Sequence, residues 1–133
     1  MPVRVLVVEE DPVMAAGVGA QVGALLDAEV SLCADMAGAL ELAPSHDVAV
    51  LDPGPPQSGF ASLLRLRAAA PNLLIIVAGS RNALGDQVAA LPQAADDYVV
   101  KPYSALELAA RVEALLRRFQ GVARRPASPK NGA

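Results

Sequence analysis

Two kinds of segment alternate along this chain. Residues 3–8, 47–51, 73–78 and 97–100 are short, near-continuous apolar runs rich in β-branched residues, and 29–33 is a weaker one. Runs of that length and kind are the pattern of strands buried on both faces. Between them lie alanine- and leucine-rich stretches, 12–26, 36–43, 59–69, 82–91 and 104–118, with apolar residues at helical spacing. The helix signals agree with those bounds. Asp11 reads as an N-cap with Pro12 at the first helical position. Ser104 caps the last helix, with Glu107 three residues on as a capping box, and Leu108, Val112, Leu115 and Leu116 continue its apolar face. Pro44, Pro71 and Pro92 stand where helices should stop. Five strands alternating with five helices predict a three-layer α/β domain over 1–119, and right-handed crossovers leave few topologies for it. Residues 120–133 are Gly-, Pro-, Ser- and Arg-rich without periodicity and read as a disordered basic tail.

Composition narrows the class. With 133 residues the chain can bury a real core, but aromatics make up only 3 %, so aliphatic and alanine packing must build it. Cys33 is the single cysteine, which excludes an internal disulfide; it reads as a packed or half-exposed thiol. No apolar run approaches the roughly 18 residues of a membrane span, and Met1-Pro2-Val3-Arg4 leads straight into a strand rather than a secretion signal. A cytoplasmic protein is the expectation. From Arg117 onward there are five basic residues and no acid, leaving six basic against fourteen acidic residues before it. So acidic a body argues against direct nucleic-acid binding by the domain.

The ends of the apolar runs carry the chemistry. Val5–Val8 leads into Glu9-Glu10-Asp11, Val48–Leu51 into Asp52, Tyr98–Val100 into Lys101-Pro102, and Leu74–Ala78 into Gly79-Ser80-Arg81. Parallel strands would gather these ends on one sheet edge, where open α/β sheets place their sites. Adjacent carboxylates repel unless solvated or joined by a cation, and a hard oxygen set suits Mg²⁺; acids decorating a helix N-terminus are the plainer alternative. Asp52, followed by Pro53-Gly54-Pro55-Pro56, is either a turn former or a carboxylate nucleophile. Lys101 can pair with Asp52 or grip a phosphate oxygen, and a cis Lys101–Pro102 bond is expected to aim it inward. His46, with no nucleophile or second histidine beside it, reads as a surface loop residue. Neither GxxxxGK[ST] nor GxGxxG occurs.

Together, Val-Leu-Val-Val-Glu-Glu-Asp-Pro (5–12), Asp-Val-Ala-Val-Leu-Asp (47–52) and Ala-Asp-Asp-Tyr-Val-Val-Lys-Pro-Tyr (95–103) resemble the receiver domain of bacterial two-component response regulators, over roughly residues 3–119. The resemblance implies a flavodoxin-like parallel sheet of order 2-1-3-4-5 wrapped by five helices. It implies that Asp52 accepts a phosphoryl group from a sensor histidine kinase. Glu9, Glu10, Asp52 and the Gly54 carbonyl would hold Mg²⁺, and Lys101 would bind the phosphoryl oxygen. Tyr98 would be the aromatic switch, and the signal would reach a downstream target protein through the face of the fourth helix, fifth strand and fifth helix. On this reading the chain is a signalling domain rather than an enzyme beyond its own phosphoryl transfer. Pairing of two copies is left open.

Three positions depart from the family pattern. Glu10 stands where aspartate is usual, and its extra methylene carries the carboxylate about 1.5 Å further, against the strict octahedral distances of Mg²⁺. Gly79 stands where a Ser or Thr hydroxyl bonds the phosphoryl group; Ser80 could substitute only through a one-residue backbone shift. The loop after Asp52 carries extra prolines and is one residue shorter than usual before Ser58-Gly59. These departures motivate an alternative: a pseudo-receiver acting as a phosphorylation-independent interaction module.

Overall fold

Leu6, Val8, Ala49, Leu51, Ile75 and Val77 point to one side of a sheet, and Val5, Val7, Val48, Val50, Leu74, Ile76 and Val99 to the other. This period-2 division of fully apolar strands makes a sheet that must be covered twice. A computed structural model describes residues 2–54, 56–80 and 94–120. In chain order the elements are β1 (Arg4–Val8), α1 (Pro12–Leu26), β2 (Glu29–Cys33), α2 (Met36–Leu42), a 3₁₀ turn (Ala43–Ser45), β3 (Val48–Leu51), α3 (Pro56–Ala69), β4 (Leu74–Gly79), β5 (Asp97–Val100) and α4 (Ala105–Gln120). The expected helix at 82–91 and nearly all of the expected tail lie outside the described residues.

All strand pairs are parallel and the sheet order is β2-β1-β3-β4-β5. Ala39, Leu63 and Leu66 of α2 and α3 close the first side of the core. Val22 of α1 and Leu108, Val112 and Leu115 of α4 close the second. The order reverses direction between β1 and β3, which opens a crevice above their C-terminal ends.

Helix ends follow the sequence signals. Asp11 Oδ1 accepts from the N–H groups of Val13 (3.0 Å) and Met14 (3.3 Å), and Asp35 Oδ1 from Gly38 (2.9 Å). Ser104 Oγ accepts from the Glu107 N–H at 3.0 Å, but the Glu107 carboxylate turns to Arg111 instead of closing the capping box. The third helix starts at Pro56, three residues before the expected 59, because its first turn carries proline and polar residues rather than an apolar stripe.

Two polar groups lock the opposite end of the sheet. His46 is buried, not a surface loop residue: Nδ1 lies 2.8 Å from the Leu42 carbonyl and Nε2 2.8 Å from Ser31 Oγ. Arg67 donates to the carbonyls of Pro71 (3.2 Å) and Leu73 and to Asp96 Oδ2 (2.9 Å), which also accepts the Ile75 N–H. Their side chains are only 18 % and 8 % exposed, and burial pulls the Arg67 guanidinium below its usual value.

Candidate functional site

Strand register explains why the site forms. Val8 pairs with Leu51, so Glu9 and Asp52 leave adjacent strands past the same rung. Val100 pairs with Gly79, two residues beyond the partner of Leu51, so β4 and β5 carry Lys101 up beside the two acids. Lys101 Nζ donates to Glu9 Oε1 at 3.1 Å and to Asp52 Oδ2 at 3.0 Å. The Lys101–Pro102 peptide is cis, as expected. Side-chain exposure is 24 % for Lys101, 13 % for Glu9 and 39 % for Asp52. Burial pulls the Lys101 ammonium down, but hydrogen bonds and attraction from Asp52 and Glu9 outweigh it, and its pKa stands above the ordinary lysine value.

Each acid is fixed by a second contact. Glu9 Oε2 accepts the Asp11 N–H at 3.1 Å, and the Glu9 N–H bonds the Cys33 carbonyl. Asp52 Oδ1 accepts the Gly54 N–H at 2.9 Å. Asp52 is therefore a turn former and a lysine partner at once. Gly54 sits at φ +87°, a left-handed conformation that glycine takes without penalty. Gly59, in the first turn of α3, lets the loop come close: a Cβ there would stand 2.9 Å from the Pro53 carbonyl oxygen and 3.2 Å from that of Gly54.

A cleft of about 250 Å³ opens here, walled by Glu9, Glu10, Asp52, Gly54 and Lys101 and by Ala34, Asp35 and Met36 from the β2–α2 turn. That turn was not expected at the site: nothing in the sequence places Asp35 or Met36 beside residues distant in the chain. Among the described residues no three carboxylate, histidine or cysteine side chains converge as a preformed metal cage, since Lys101 lies between Glu9 and Asp52. The donor set nevertheless suits a hard dication: all ligands would be oxygens, and Glu9, Glu10 and Asp52 against Lys101 leave two uncompensated negative charges.

The other expected residues are less concentrated. Gly79 is buried at the end of β4, and its carbonyl accepts the Lys101 N–H at 2.8 Å; it brings no hydroxyl. Ser80, the next residue, is exposed. Tyr98 is exposed on β5, beside a surface depression shared with Lys101, Glu107 and Arg111. Cys33 is half-buried, and burial pushes its thiol up, away from the reactive thiolate. Tyr103, the last residue of the 95–103 motif, is half-buried two residues past Lys101.

Comparison with known proteins settles the family. Residues 5–113 match the model of the response regulator receiver domain. The chain belongs to that family. This receiver domain is 37 % identical to a probable transcriptional regulatory protein, TcrX of Mycobacterium tuberculosis, over 88 % of the chain and 51 % of the relative. It is 36 % identical to the transcriptional regulatory protein BasR of Escherichia coli, over 86 % and 53 %. The chain thus spans about half the length of these curated relatives. Among solved structures, the receiver domain of the TMAO respiratory response regulator TorR matches with a TM-score of 0.76 at 32 % identity, over 88 % of this chain and 98 % of that one. A Francisella response regulator receiver domain matches at 0.75 and 28 %, over 90 % and 100 %. The flavodoxin-like fold of order 2-1-3-4-5 is therefore the receiver fold. Receiver domains are signalling modules rather than enzymes, and no described helix is long and apolar enough to cross a membrane.

Proposed function

We propose that this receiver domain accepts a phosphoryl group on Asp52 from the phosphohistidine of a sensor kinase. The observation that carries the reading is the Lys101 bridge between Glu9 and Asp52 in an acid-rich cleft at the β1/β3 crevice. An Asp52 carboxylate oxygen attacks phosphorus, the phosphorus–nitrogen bond breaks, and its electron pair returns to the imidazole. Lys101 is a point charge that follows the phosphoryl oxygens. Glu9, Glu10, Asp52 and the Gly54 carbonyl would hold Mg²⁺, which when bound neutralises charge on the transferring group. Signalling would run through β5 and α4 and the 82–91 segment, with Tyr98 as the reporting side chain, to a downstream protein. The test is intact-mass analysis with acetyl phosphate and Mg²⁺. Wild type should gain one phosphoryl group and Asp52→Asn none; no gain in either, beside a modified control receiver, refutes the proposal.

The missing hydroxyl at Gly79 favours the second reading, a pseudo-receiver that binds partners without phosphate. Beryllofluoride separates the two. An NMR titration that moves Tyr98 and β5 excludes the pseudo-receiver, and unchanged spectra at saturating Mg²⁺ support it.

A further inference from the structure

Lys101 divides the acids of the cleft into two kinds. Glu9 gives Oε1 to the Lys101 ammonium and Oε2 to the Asp11 N–H, and Asp52 gives Oδ2 to Lys101 and Oδ1 to the Gly54 N–H. Every oxygen of this pair therefore already accepts one hydrogen bond, and each can offer a cation only its remaining lone pair. Asp35, which also lines the cleft, commits Oδ1 to the Gly38 N–H. Glu10 lines the same cleft, but its side chain makes no hydrogen bond or ion pair among the described residues. It is exposed, so its arm is free to turn toward an ion, and both its oxygens are open.

Two open oxygens on one carboxylate favour chelation, and chelation is sensitive to ion size. The pair subtends roughly 60° at a metal about 2.1 Å away, well short of the right angle that octahedral Mg²⁺ demands. Ca²⁺ takes about six to eight oxygens at roughly 2.3–2.6 Å in a flexible geometry that accepts bidentate carboxylates. Chelating Glu10, one oxygen of Asp52, the Gly54 carbonyl and waters would fill such a shell. We propose that Glu10 is the specificity-determining ligand of this site: through two-oxygen chelation beside Asp52 it makes the cleft prefer a hard dication larger than Mg²⁺, for which Ca²⁺ is the probe. The inference rests on the phosphoacceptor reading above for the place of the cation.

Calorimetric titration of the 133-residue chain with CaCl₂ and MgCl₂ at matched ionic strength reads the preference without any phosphodonor. Wild type should bind Ca²⁺ more tightly than Mg²⁺. Glu10→Asp keeps the charge but shortens the arm, and should lower the Ca²⁺-to-Mg²⁺ affinity ratio about tenfold, the lower end of what altered support at a metal costs. Because Glu10 is exposed and bonds no other group, its circular dichroism and melting temperature should match wild type. Asp52→Asn should weaken the binding of both ions. Tighter or equal binding of Mg²⁺ by wild type overturns the proposal. So does a ratio unmoved by Glu10→Asp, or Ca²⁺ binding that survives Asp52→Asn undiminished. Acetyl-phosphate labelling tests the other reading separately. No phosphoryl gain beside a Glu10-dependent Ca²⁺ preference refutes the phosphoacceptor reading alone, and labelling of Asp52 beside a Mg²⁺ preference refutes this inference alone.

Discussion

Replacing Lys101 by methionine should tighten Mg²⁺ binding while it weakens phosphorylation. The ammonium sits 3.0–3.1 Å from oxygens of Asp52 and Glu9, the same oxygens a dication would use. With magnesium–oxygen distances near 2.1 Å, ammonium and metal would stand about 5 Å apart. Their repulsion is about 1.7 kcal/mol at the dielectric of water and about 6.6 kcal/mol at an effective value of 20. Asp52 is 39 % exposed and the cleft is open to solvent, so the aqueous end applies. The expected gain is thus on the order of tenfold in Kd. Isothermal calorimetry of wild type and Lys101→Met at low ionic strength measures it directly. At about 1 M salt, where screening reaches only some 3 Å, the difference should largely vanish. Equal or weaker Mg²⁺ binding by the variant would refute the argument, because the carboxylates would then not be the ligands that Lys101 shields.

Three further outcomes are expected. Asp96→Ala leaves Arg67 buried without its partner and should cost about 3–5 kcal/mol, lowering the melting temperature by on the order of 10–20 °C. Asp97→Ala breaks the more exposed pair with Arg111 and should cost at most about 1 kcal/mol; similar losses for both in thermal scans would contradict the burial argument. Because the folded pKa of Lys101 is raised, its stabilising contribution is complete below 10.5 and is lost as pH rises through the higher folded value. Urea melts should therefore show a decline above pH 10.5 that is reduced in Lys101→Met. Gly17→Ala, where a Cβ meets nothing within 4 Å, should raise stability by about 0.5–1 kcal/mol through helix propensity. Gly59→Ala, in α3, should instead lower the denaturation midpoint, since its Cβ must displace the Pro53 carbonyl.

The strands were legible because β3 and β4 are short and wholly apolar, β1 and β5 run apolar into polar ends, and β2, the weaker run, has mixed exposure. Asp52 and Lys101 were legible because each closes such a run. His46 was misread because its partner, Ser31, is 15 residues away, and nothing local marks the pairing. Arg67 and Asp96 went unnoticed for the same reason: 29 residues separate two charges that look solvated until α3 and the start of β5 come together. Glu107 satisfied a capping box in sequence, but Arg111, one turn on, competes for its carboxylate and wins.

Sequence alone determined the fold class, the strand ends that bear the site and the three departures at Glu10, Gly79 and the loop after Asp52. The fold class and the strand ends follow from residue type and local period, and the departures from the resemblance to the receiver family. The tertiary structure decided which side chains meet. Register sets Glu9 beside Asp52 and lifts Lys101 between them, and backbone turns give each acid its second bond. Distance in space, not order along the chain, governs hydrogen bonds and Coulomb energy, and only the packed sheet converts one into the other.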